Sequence, residues 1–369
     1  MSNPREAGMD RRGFLKRTAA GAAVGAAAAQ LGGSQAHAAA DETKTRSHNP
    51  TMEYRRLGQT DLMVSAVCLG GHWKRVDTLV PGLFGEGGKW LNADLSNPDF
   101  KKNRYDVVSQ CIRNGINYID ACTWQECVTY AEALKGRRDS VYLGFSWYQE
   151  EMRRAEFRTA DALLGTLDKG MKQAGLDYVD VWRITMLSTS SRHTEPEVEQ
   201  MMIALEKARE QGKVRFTGLS SHDRPHIKWM IEKYPTTVQV VCTPFTAKSK
   251  ERPTDSLFDA TRKHDVGVFG IKPFSGTSLF TGDSTLAHPN ANEDDEIARL
   301  TIRSILATDA ITAPIPGLIN SHQVDNVALA VRDRRELDAE EKAKLEKAGD
   351  EMHARLPADY QWLKDWEWV

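Results

Sequence analysis

From Glu53 onward the chain alternates short runs of apolar, β-branched residues with longer segments whose apolar positions recur every three or four residues. The first pattern is that of buried strands and the second that of helices with one apolar stripe. The runs predicted as strands are Val64–Leu69, Ile116–Asp120, Val141–Phe145, Val179–Ile184, Val214–Leu219, Val238–Cys242, Val266–Ile271 and Ile311–Ile315. Predicted helices between them include Thr159–Ala174, Glu195–Gln211, Thr254–Lys263 and Glu293–Leu306. Eight strand-then-helix units fill the roughly 250 residues that a (β/α)8 barrel takes, so the predicted class is α/β, a TIM barrel in one domain. Lys74–Asn97 interrupts the pattern as a long Gly-containing loop after the first strand, a length that marks lids and binding loops. The chain ends in DYQWLKDWEWV, whose three tryptophans are expected to pack over the barrel mouth or a neighbour.

Composition adds little until the ends are compared. The 369 residues hold 49 Lys and Arg against 51 Asp and Glu, a net charge of −2, and 40% are hydrophobic. That suits a soluble globular protein with a large core. It lacks the clustered basic charge of a nucleic-acid binder, and five cysteines are too few for a disulfide scaffold. The first forty residues differ from the rest: DRRGFLKR precedes an Ala/Gly-rich run from Thr18 to Ala29, and Ala36-His37-Ala38 follows. The run is shorter than the about 20 residues a bilayer span needs, so no stable membrane span is expected. Paired arginines, a weakly apolar middle and an A-x-A site read as a twin-arginine signal peptide. That implies the twin-arginine export machinery as a partner, export in folded form and a periplasmic or other extracytoplasmic destination. The chain divides into signal 1–38, linker 39–51, barrel 52–355 and Trp-rich tail 356–369. Cleavage near Ala38 would remove five basic and two acidic residues and move the net charge from −2 to −5.

Barrel chemistry sits at the C-terminal ends of the strands. Read in order, those ends offer His72-Trp73, Asp120, Ser146-Trp147, Thr185, Ser220-Ser221, Gln239, Lys272-Pro273-Phe274 and Pro316-Gly317. The set is polar and aromatic but poor in nucleophiles. It shows no Ser/His/Asp triad, P-loop or paired-carboxylate spacing that would favour a hydrolase.

At these positions the chain resembles the aldo-keto reductase family across nearly all of Met52–Lys347. MEYRRLGQTDLMVSAVCLGG is similar to the family's first hairpin and strand, INYIDA to strand two, LDYVDVW to strand four and GKVRFTGLSS to strand five. VQVVCTPF resembles strand six, VGVFGIKPFSG strand seven, and ITAPIPGLINSHQVDNV strand eight with its phosphate-binding loop. The resemblance implies a carbonyl reductase using NADPH or NADH with an Asp, Tyr, Lys and His set, the Tyr donating the proton. Asp120 matches the aspartate. The tyrosine position falls on Trp124-Gln125, the lysine position on Ser146 and the histidine position on Thr185, so the usual acid is missing. Tyr130, on the predicted helix, is either packing or a displaced donor. For the cofactor, Ser220, Ser221 and Gln239 match the residues around the nicotinamide amide. Lys272, Pro273 and Phe274 resemble the pyrophosphate loop, and Gly317, Gln323 and Asn326 the adenosine end, where a helix start suits a phosphate. No Lys or Arg lies between Ala313 and Ala330, so that loop does not support a preference for NADP over NAD.

Arg183 lies two residues before Thr185 and so shares its face of the strand. Its position near Asp120 would either replace part of the missing lysine's charge or form a structural ion pair. His72, Trp73, Trp124 and Trp147 are expected to wall a pocket for a small-molecule substrate, the tryptophans being equally suited to packing loops against the barrel. His72, Cys122, Glu126, Cys127 and His222 fit no metal-ligand spacing, so no metal is expected; export to an oxidising compartment would instead allow Cys122 and Cys127 to pair. Two functions follow: an exported oxidoreductase acting on a carbonyl or alcohol by altered acid–base chemistry, or a catalytically inactive, repurposed barrel that binds a ligand or partner.

Overall fold

The computed structural model describes residues 44–333 and 335–365; the expected signal peptide, the start of the linker and the last tryptophans, Trp366 and Trp368, lie outside them. The described chain opens on an antiparallel hairpin, β1 (Tyr54–Arg56) against β2 (Met63–Ser65). Then come β3 (Leu69–Gly70), α1 (Pro98–Asn114), β4 (Tyr118–Ala121), α2 (Trp124–Ala133), β5 (Tyr142–Phe145), α3 (Ala160–Ala174), β6 (Val179–Thr185) and α4 (Glu195–Glu210). The second half runs β7 (Val214–Ser220), α5 (Arg224–Lys233), β8 (Val240–Pro244), α6 (Leu257–Lys263), β9 (Gly267–Ile271), α7 (Ala291–Leu306), β10 (Ala313–Ile315), α8 (Ser321–Arg332) and α9 (Ala339–Arg355).

Strands β3 to β10 form one parallel sheet in chain order. Its two edges meet: Gly70 bridges to Gly317, and the amides of Cys68 and Gly70 donate to the carbonyls of Pro314 and Pro316 at 3.1 and 2.7 Å. The result is the expected (β/α)8 barrel. Leu57 and Leu62 from the opening hairpin join Tyr118, Tyr142, Val181, Val240 and Phe269 in the buried centre, so the hairpin plugs the end of the barrel away from the mouth.

Three expected boundaries shift for local reasons. Val64–Leu69 is not one strand: the Ser65 amide bonds to Asn117 Oδ1 and its hydroxyl to Val67 O, which bends the chain between β2 and β3. The helix expected from Thr254 starts at Leu257, because Ser256 and Asp259 form a capping box there. The strand expected over Val238–Cys242 begins at Val240, which matters for Gln239 below. The long loop Lys74–Asn97 holds only short 3-10 turns, Val76–Thr78 and Trp90–Asn92.

Asp180, fully buried near the start of β6, ties three separate segments together. It accepts from Arg46 (3.2 Å), Arg138 (2.7 Å), Arg215 (2.6 Å) and the Leu143 amide (3.0 Å). Burial opposes its charge, but Arg138, Arg46 and Arg215 outweigh burial and hold the carboxyl down at about 2. Asp180→Asn should cost about 3–5 kcal/mol at neutral pH, since it leaves three guanidinium groups without their anion. A depressed carboxyl stabilises above its unfolded value of about 3.9 and loses that contribution as pH falls toward its folded value. The Tm gap between wild type and variant should therefore be constant above pH ~4 and shrink below it.

Candidate active site

The floor of the mouth is an ion pair. Asp120 at the end of β4 and Arg183 on β6 are both buried, and Arg183 Nε donates to Asp120 Oδ1 at 2.6 Å while NH2 bonds the second oxygen. Burial works against the guanidinium, yet Asp120 keeps Arg183 firmly charged. Gly144 on the neighbouring strand makes room for this, because a Cβ there would stand 2.2 Å from Tyr118 Oη and 2.9 Å from Asp120 Oδ1.

From the pair a hydrogen-bonded chain runs under the mouth. Arg183 NH1 donates to Thr185 Oγ1 (3.2 Å), which shares a bond with Ser146 Oγ (2.8 Å), and Ser146 donates to Glu151 Oε2 (2.6 Å). Glu151 also takes the amides of Thr185 (2.7 Å) and Trp147 (3.0 Å) and the Trp182 indole (3.2 Å). Burial pushes its carboxyl above the ordinary value despite the Ser146, Thr185, Trp147 and Trp182 donors. Ser146 and Thr185, both singled out from the sequence, are thus hydroxyls held over a buried acid. Sequence reading missed Glu151, since it lies in a loop with no periodic pattern.

Above the floor, Asp120, Arg183, Thr185 and Ser220 open into a cleft whose walls are Trp90, Tyr148, Phe274 and Tyr360. The expected tryptophan wall is replaced. Trp73 is buried edge-on against Phe100 (5.2 Å) and Tyr130 (5.9 Å), Trp147 lies buried beneath Lys169 Nζ (4.7 Å), and Trp124 sits half-exposed at the start of α2. Trp73 and Trp147 follow strand ends but pack on helix residues, and Trp124 stays at the surface. Tyr130 is also packing: buried, it donates to Gly70 O at 3.0 Å, and burial pushes its phenol up.

His72 does line the cleft. Its Nδ1 lies 2.8 Å from Glu126 Oε1, and Cys122 Sγ stands 3.7 Å from the same nitrogen. Glu126 is placed by the capping box that starts α2 and also takes the amide of Cys122 at 2.6 Å. The spacing that fits no ligand pattern in sequence is brought together in space, since ligand atoms of His72, Cys122 and Glu126 lie within 4.8 Å of one another. Cys127 and His222 do not join them. The Cys127 thiol faces Ser146 O, and His222 stacks on Trp362 at 4.5 Å. Burial, with Glu126 adding to it, pushes the Cys122 thiol up, so its sulfur is not a ready thiolate. Cys122 and Cys127 are both free rather than paired.

The cleft continues past His72, Lys74, Phe274, Thr277 and Gly317 into a groove that ends at α8. Gln323 and Asn326 line the far end. Their side chains are engaged: Gln323 Oε1 accepts the Ile319 amide at 2.9 Å, and Asn326 holds Arg299 and Asp295 O. Asn320 caps α8 and leaves its N-terminal turn facing the groove. Lys272, Phe274 and Pro273 lie on the cleft as expected. Two expectations are corrected. Gln239 precedes β8, away from the mouth, and its Oε1 takes the Thr217 amide at 3.2 Å instead of lining the cleft. Ser221 turns into its own loop, bonding Leu187 O, Ser188 O and Ser190. The loop after strand eight holds no Lys or Arg, but Arg75 from the long first loop supplies a cation to the groove, clamped on Gly282 O at 2.5 Å.

Arg183→Met should lower stability by about 3–5 kcal/mol at neutral pH, because Asp120 is then a buried charge without a partner. The loss is readable as the difference in Tm, or in denaturant midpoint, between variant and wild type at pH 7.

Over residues 79–350 the chain matches the Aldo/keto reductase family. It is 28% identical over 163 residues to "Aldo-keto reductase yakc [NADP(+)]" of Schizosaccharomyces pombe, a match that covers 43% of this chain and only 46% of that protein. It is 21% identical to "L-galactose dehydrogenase" of Arabidopsis thaliana over 307 residues, covering 78% of this chain and 90% of the relative. Among solved structures, the aldo/keto reductase of Klebsiella pneumoniae in complex with NADP and acetate superposes with a TM-score of 0.57 at 17% identity, covering 80% of this chain and 94% of that one. The holo form of aldo-keto reductase AKR11C1 from Bacillus halodurans gives 0.56 at 19% identity, covering 80% and 96%. With most of its barrel matched by the family and its fold shared with these structures, the chain belongs to the aldo/keto reductase family.

Proposed function

We propose that this protein is an exported oxidoreductase that holds a nicotinamide dinucleotide in the groove between the mouth and α8 and interconverts a small carbonyl compound and its alcohol. The observation that carries this reading is the continuity of that groove, which joins a polar floor to the N-terminal turn of a helix through shared lining residues. The donor set fits the group. Helix amides at the start of α8, with Lys74 and Arg75 beside them, suit a pyrophosphate, and Ser220 with the Asp120–Arg183 floor suits the nicotinamide end. When bound, the reduced nicotinamide supplies a hydride to the carbonyl carbon and is left oxidised. The chain's part is to position the carbonyl over Thr185, to exclude water with Trp90, Tyr148 and Phe274, and to provide a proton. Two of the relatives carry NADP or NADPH in their names, the fission-yeast protein and a "NADPH-dependent alpha-keto amide reductase" of Saccharomyces cerevisiae. Asp294 and Asp295 at the far end of this groove oppose a further phosphate, so NADH should bind at least as well as NADPH.

Export fits this reading if the dinucleotide travels inside the folded protein, because free reduced cofactor is not expected outside the cytoplasm. Among the described residues no helix is long and apolar enough to cross a membrane. A second reading, a barrel that binds a ligand without turning it over, is favoured by the way Ser146 and Thr185 are tied to Glu151.

Titration of the purified protein with NADH and with NADPH should quench tryptophan fluorescence, and Trp90→Phe should remove much of the quench because Trp90 lines the cleft. Absence of quenching by both nucleotides, together with no cofactor absorbance in the purified protein, would sink the dinucleotide reading.

A further inference from the structure

The phenol nearest the floor ion pair, Tyr118, is fully buried and does not line the cleft, yet two other tyrosines do, Tyr148 and Tyr360, and they sit in opposite electrostatic settings. Tyr148 is half-buried, and burial pushes its phenol up. Tyr360 belongs to the short 3-10 turn Ala358–Asp365 that follows α9, begun by its amide bonding to Pro357 O at 2.8 Å. Lys74 Nζ donates to its hydroxyl at 2.9 Å, and Lys272 Nζ lies 5.5 Å from its ring centre. Two ammonium groups from two different loops therefore flank one phenol.

The loop after β9 is built around this ring. Lys272, Ser275, Gly276 and Thr277 all take positive φ, three of them residues that carry a Cβ and rarely adopt it. A Cβ on Gly276 would stand 2.7 Å from Tyr360 Cζ, so only glycine lets the ring lie this close. Among the described residues the Lys272 ammonium donates no hydrogen bond, so its charge is directed at the cleft and at Tyr360 rather than spent on a carboxylate.

We propose that Tyr360, delivered to the mouth by the C-terminal tail and held between Lys74 and Lys272, is the proton donor to the carbonyl oxygen of the substrate, in place of the acid absent from α2. The proposal rests on the cleft being a site of carbonyl reduction. With the hydride supplied by the cofactor to the carbonyl carbon, the Tyr360 O–H bond breaks as the alcohol O–H forms. The phenolate that remains is held by Lys74 and Lys272 and takes a proton back from solvent. Burial opposes that phenolate, but Lys272 and Lys74 outweigh burial and the neighbouring Asp359, and the phenol lies below its ordinary value. Arg153 and His222 line the same cleft, and burial with Lys272 and Arg153 holds His222 neutral, so neither competes as an anion. Lys74 and Lys272 act as positioning residues.

The test uses the purified protein with NADH or NADPH and para-nitrobenzaldehyde as the probe carbonyl. Tyr360→Phe keeps the ring on Gly276, so fold and nucleotide quenching should be unchanged while turnover falls about 10²–10⁴-fold, the typical worth of a positioned acid. A donor must be protonated, so activity falls as pH rises through the phenol's value. Lys74→Met removes a cation, raises that value and should move the falling limb to higher pH. The ultraviolet difference between wild type and Tyr360→Phe should show one phenol ionising below about 10, with no cofactor needed. A Tyr360→Phe protein as fast as wild type, a wild type that binds nucleotide yet leaves the aldehyde untouched, or a Tyr360 phenol that ionises at or above its ordinary value overturns the proposal. Loss of nucleotide binding by the wild type overturns the dinucleotide reading instead, and the phenol titration still decides the setting of Tyr360.

Discussion

The mouth of this barrel is organised by one buried ion pair, Asp120 with Arg183. A carboxylate and a guanidinium this deeply buried are tolerable only because each satisfies the other. Once they are locked, the rest of the floor follows. The free edge of Arg183 orients Thr185, Thr185 meets Ser146, and Ser146 ends on Glu151, which also takes two main-chain amides and the Trp182 indole. The pair thus spans β4 and β6 across the strand between them. The same geometry explains how the aspartate can stay ionised at this depth: an arginine from a different strand neutralises it, and a chain of hydroxyls continues from that arginine.

A floor so fully satisfied has little reactivity of its own to offer. Its groups are engaged in holding one another, and the titratable character of the mouth comes from above, where Lys74, Lys272, His72, His222 and Tyr360 converge from loops and tail. This division has a physical basis. Strand-end side chains are fixed by the sheet register and pack tightly, whereas loop side chains can be set at different heights without disturbing the core. In this barrel the scaffold keeps the shape of the cleft, and the elements outside the sheet decide its charge.

The floor was largely legible in the sequence because β-strands end in register: Asp120, Thr185 and Ser220 could be placed at the mouth by counting from the strand runs, and each lines the cleft. Gln239 was misplaced by the same counting, since the chain enters β8 only at Val240 and the amide side chain is drawn to Thr217 instead. The aromatic walls were not legible. Trp73, Trp124 and Trp147 follow strand ends, but whether such a side chain turns toward the axis, back onto a helix or out to the surface depends on the space each neighbour leaves, and here the space at the axis went to Trp90, Tyr148, Phe274 and Tyr360. His72, Cys122 and Glu126 are separated by up to 54 positions in the chain and share no spacing signal, yet the closure of β3 against β4 puts them in contact.

By itself the sequence determined the barrel and which residues stand at its strand ends, because alternation of apolar runs dictates strands, while its motifs carried the family resemblance. Only the tertiary structure decided which groups surround the cleft. The long loop after β3, the strained turn after β9 and the tail after α9 have no repeating pattern, and their side chains meet only because the closed sheet brings its two edges, and everything attached to them, to one place. A phenol more than two hundred residues away along the chain from Asp120 can line the same cleft for that reason alone.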